Sequence, residues 1–69
     1  MADDGLPDDL EIIDAAYAER LKELFRIFAE AVYTGEPERE AVVRFSRALL
    51  SARRVHALAL QALKQADQA

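Results

Sequence analysis

The sequence predicts an all-α protein: an antiparallel two-helix hairpin that dimerises into a four-helix bundle. Three observations predict it. Two long stretches, Asp9 to Thr34 and Pro37 to about Gln65, are rich in helix formers and contain no internal Gly or Pro breaker. A single short connection, Thr34-Gly35-Glu36-Pro37, carries both punctuation marks between them. The apolar residues of each stretch recur at helical spacing, but over a stripe wider than one helix–helix seam.

Residues 1–7 read as a mobile acidic leader, and residues 8–69 as the hairpin, with helix 1 about 9–34 and helix 2 about 37–65. Asp8 suits an N-cap, with Glu11 three residues on as a carboxylate capping box and Leu6 available as a hydrophobic staple. Gly35 suits the left-handed position just past a helix, and Pro37 the first turn of the next. Glu36, Glu38 and Glu40 gather where the second helix dipole favours them. So short a connection makes the helices antiparallel neighbours.

Adding about 100° per residue assigns the faces. In helix 1, Leu10, Ile13, Tyr17, Leu21, Leu24, Phe25, Phe28, Ala31 and Val32 form one stripe. Ile12, Ala16 and Ile27 widen it. Phe25 and Phe28 are expected in the core, and Tyr33 is expected to pack at the hairpin end. In helix 2 the stripe is Val42, Phe45, Ala48, Leu49, Ala52, Val55, Ala59, Leu60 and Leu63, with Val43, Leu50 and Leu58 outside it. One hairpin seam leaves part of these stripes exposed, so a second copy or another protein is expected to cover them.

Sixty-nine residues allow one small domain, and with no Cys and one His neither disulfides nor a Cys/His zinc site can reinforce it. No cofactor or metal is expected. No apolar run is long enough for a membrane span, and the acidic start is unlike a signal peptide, so the expected location is the cytoplasm. Residues 1–14 carry six acids and no base, whereas Ala41–Gln65 carries five bases and no acid. That division allows two readings: charge complementarity within or between chains, or phosphate attraction by helix 2. The net charge of −4 disfavours nucleic acid as the main partner.

Candidate sites are few. His56, the only His, lies in the apolar stripe of helix 2, and Asp14 is the odd polar residue in that of helix 1. With the turn at Gly35–Glu36, facing residues have numbers adding to about 71, so Asp14 and His56 meet at one level, with Tyr17 a turn away. They are expected to form a buried polar pair that fixes register or partner choice. A pH-sensitive contact and acid–base chemistry are the alternatives, the latter lacking a Ser, Cys or Thr nucleophile on that level. No catalytic residue is assigned, and the chain is not expected to be an enzyme. Arg44, Arg47 and Arg54 share one side of helix 2, without the interleaved aromatics that single-stranded nucleic acid recognition uses. A solvated charged face is the plain alternative for them.

Several short stretches, in order, are similar to the TraM-type quorum-sensing antiactivators: Gly5-Leu6-Pro7, Asp9-Leu10-Glu11, Asp14-Ala15, Leu24-Phe25, Thr34-Gly35 and His56-Ala57. The resemblance spans most of the chain in di- and tripeptides. Helix 1 is shorter here than in that family, and the chain ends soon after helix 2. The resemblance implies a dimerising two-helix protein that binds a LuxR-type transcription activator and blocks its access to DNA. Arg47, Leu50, Arg54 and Leu58, which mix apolar anchors with Arg, are the expected partner face. The other functional classes are an accessory or structural subunit of a larger assembly and a nucleic-acid-associated protein using the basic side of helix 2.

Overall fold

A computed structural model of the chain describes residues 8–68. The acidic leader 1–7, and with it the Leu6 staple, lies outside the described residues. Two helices, α1 (Asp9–Tyr33) and α2 (Glu38–Gln68), pack against each other as a hairpin with no strand among the described residues. The fold is therefore the all-α hairpin expected. Helix α2 runs three residues beyond Gln65, since nothing from Ala66 to Gln68 breaks a helix.

Both ends of the first helix follow from local chemistry. The Asp8 backbone is extended, and its carboxylate accepts a 2.8 Å bond from the Glu11 N–H, satisfying one orphan donor. At the other end Gly35 adopts φ 91°, the only positive φ among the described residues. Its N–H reaches the Val32 carbonyl at 3.1 Å, and the Glu36 N–H reaches that of Ala31 at 3.0 Å. This is the Schellman pattern, and it needs a residue free of the Cβ penalty at Gly35. Pro37 sits at the start of α2, and its carbonyl accepts the N–H of Ala41 at 3.1 Å. Glu36 then hydrogen-bonds Arg44 at 2.5 Å, and this carboxylate raises the pKa of the arginine still further.

The Cα atoms fill a slab of 52 × 24 × 8 Å, a single layer of helix. Among the described residues only Leu24, Ala31, Ala41 and Ala52 are buried, and three of the four are alanines that let the helices approach. Phe28 stacks on Phe45, with ring centroids 4.9 Å apart, nearer the turn. Several expected core residues are not covered. Phe25 is 60% exposed, because it lies about 60° round the helix from Phe28 and so beyond the reach of a single partner helix. Val42 and Val55 are exposed for the same reason. Tyr33 does not pack at the hairpin end; it points away from α2 and is 82% exposed.

The slab has two unlike faces. One carries a groove of about 570 Å³ between the helices, walled by Ile13, Ala16 and Arg20 of α1 and by Ala48, Ser51 and Val55 of α2. Ile27, Arg44 and Ala62 line its extensions towards the two ends. The other carries Phe25, Val42 and Leu60, each two residues from a groove-side residue and hence about 160° round its helix. Leu10, Leu21, Val32 and Leu49 join them there.

Candidate functional site

Across the seam, His56 Nε2 and an Asp14 carboxylate oxygen stand 2.9 Å apart, although 42 residues separate them in sequence. The antiparallel register set by the turn brings them together. The imidazole also lies flat on the Tyr17 ring, with centroids 4.2 Å apart and planes 14° from parallel. Hydrogen bond and stack together hold one ring orientation.

The pair is not buried as expected. The His56 side chain is 22% exposed, but that of Asp14 is 57% exposed. Asp14 lies at the edge of the seam, where two helices alone leave one side of each residue open. The sequence reading also missed Ser51, which shares the groove wall with His56. Five residues apart on one helix, the two side chains project about 140° apart, so the serine is poorly placed to be activated by this imidazole. Among the described residues no group of three or more His, Cys, Asp or Glu side chains could hold a metal ion.

The expected partner residues lie on the outer side of α2. Arg47 and Arg54 sit about 40° and 60° round the helix from Ser51, away from the seam. Leu50 and Leu58, interleaved with them, are 61% and 51% exposed. Arg47 and Arg54 have no ion-pair partner among the described residues, whereas Arg44, expected on the same side, is held by Glu36. The chemistry on offer is therefore two free guanidinium groups beside two aliphatic anchors on a rigid helix. No helix among the described residues is long and apolar enough to cross a membrane.

The fold and this surface define a class, the two-helix hairpin with uncovered apolar faces. Beyond that class, no protein-family model matches the chain, and no curated protein or solved structure matches it either.

Proposed function

We propose that this chain is a small helical binding protein that regulates another protein by holding it, and that it works without catalysis. It self-associates, and it engages its target through Arg47, Leu50, Arg54 and Leu58. One observation carries this reading: among the described residues ten large hydrophobic side chains, from Val43 at 43% to Tyr33 at 82%, remain exposed on a hairpin one layer thick. Surface of that kind marks interaction sites, and Arg flanking Leu suits an interface better than a solvated face. The TraM-type resemblance supports a LuxR-type transcription activator as the target.

A gel-shift titration tests the proposal. Adding the full chain to a LuxR-type activator from the same cell, bound to its operator, is expected to abolish the shifted band. The Arg47→Glu/Arg54→Glu variant, still helical by circular dichroism, is expected to leave it. An activator that stays on DNA at a large excess of the wild-type chain overturns the antiactivator reading.

A further inference from the structure

We infer that a second copy of this chain covers the face bearing Leu10, Leu21, Phe25, Val32, Val42, Leu49 and Leu60, and that the groove face stays outside the assembly. This rests on the self-association proposed above and adds which surface carries it. Three observations favour this face and this occupant.

The first is area. The chain exposes 5746 Å², about 1400 Å² more than the roughly 4300 Å² expected of a compact monomer of its mass. A standard interface takes about 800 Å² from each partner, so the excess is more than enough for one isologous contact.

The second is the unlike composition of the faces near the seam. On the groove side α2 offers mainly Ala48, Ala52, Ala59 and Ala62, with Val55 in the middle and Leu63 and Phe45 towards the ends, while α1 adds Ile12, Ile13 and Ile27. Arg20 and Arg44 point into that side, each hydrogen-bonded to a carboxylate of its own chain, Glu23 and Glu36. Closing another slab over it would desolvate both guanidinium groups. The opposite side supplies four large apolar groups from α1 and three from α2. Phe25 and Val42 there are 60% and 49% exposed.

The third is charge. The polar groups at the seam edge of the Phe25 face are Asp14 and His56, the latter also reaching the groove, and they already satisfy each other at 2.9 Å. Arg53, farther out on this face, has no ion-pair partner among the described residues. If α1 of one copy lies over α2 of the other at the same level, Arg53 comes within about one helical turn of the other copy's Asp14. That carboxylate keeps half its side chain in solvent in the single hairpin. In the assembly the Asp14–His56 pair becomes the polar element that fixes how two copies fit, a role buried polar groups fill in helical bundles.

Because the chain has no cysteine, single thiols report on each face. In the full chain, the Ala18→Cys thiol (Phe25 face) is expected to react with an aromatic disulfide reagent at least tenfold more slowly at high protein concentration than at low. The Ala62→Cys thiol (groove face) is expected to react alike at both. In sedimentation, Phe25→Glu is expected to give a helical monomer, and Ile27→Glu to keep the dimer. Should Phe25→Glu fail to fold, the two thiol rates still decide. Protection of Ala62→Cys, alone or together with Ala18→Cys, overturns the face assignment. Protection of neither removes self-association itself. Arg47 and Arg54 lie away from the Phe25 face, so failure of the gel-shift titration leaves the thiol result standing, and the converse holds too.

Discussion

Asp14 and His56, 42 residues apart, meet at 2.9 Å across the seam while the His56 ring stacks on Tyr17. This joins the open end of the hairpin, far from the turn and from the Phe28–Phe45 stack. Replacing the imidazole removes a hydrogen bond and a stack together. His56→Ala is expected to destabilise the hairpin by about 1–3 kcal/mol. His56→Phe, which keeps the stack and loses the bond, is expected to cost less. Thermal unfolding followed by circular dichroism, at one fixed protein concentration, measures both; equal losses would deny the stack any part.

Gly35 isolates a backbone effect. A Cβ built there meets nothing within 4 Å, so only the positive φ of 91° penalises a side chain. Gly35→Ala is expected to cost about 1–2 kcal/mol, and Gly35→Asn less. The order of the two midpoints in urea checks this, and an alanine as stable as the wild type would contradict it.

The Asp8 cap predicts a loss confined to one helix end. Asp8→Ala is expected to lower stability by about 1 kcal/mol, and Asp8→Ser to restore most of it. Amide hydrogen exchange supplies the sharper readout: faster exchange at Glu11 and its neighbours, with the turn unchanged.

Small side chains set the approach of the helices. Ala41 is 1% exposed and Ala52 9%, so Ala52→Leu forces the helices apart or twists them. The expected cost is about 1–3 kcal/mol. Ala57→Leu, on the exposed side of the same helix, is expected to be close to neutral. A stabilising Ala52→Leu would show unfilled space in the seam.

Much of this was legible in the chain. The Asp8 cap, the Gly35 stop and the connection beginning at Thr34 are local signals, each set by a few adjacent residues and the orphan groups of helix ends. The pairing of Asp14 with His56 was legible too, since a tight antiparallel turn leaves little freedom of register. Phe25, Val42 and Val55 were misplaced because a helical stripe reports which residues are apolar, not how much of the stripe a neighbour covers. Ser51 was missed because a groove is made by the gap between two helices, and no spacing within either one announces it.

The sequence by itself determined two helices, where they stop, and which residues face each other across the turn. These depend on backbone chemistry and on a helical period that act over a few residues. Only the tertiary structure decided that the slab is one layer thick, that Asp14 stands half in solvent, and that the two faces differ, one grooved, with alanines and paired arginines among its Ile and Val side chains, the other built of Leu, Phe and Val. Burial depends on what lies on every side of a residue, and a second helix occupies only one of those sides.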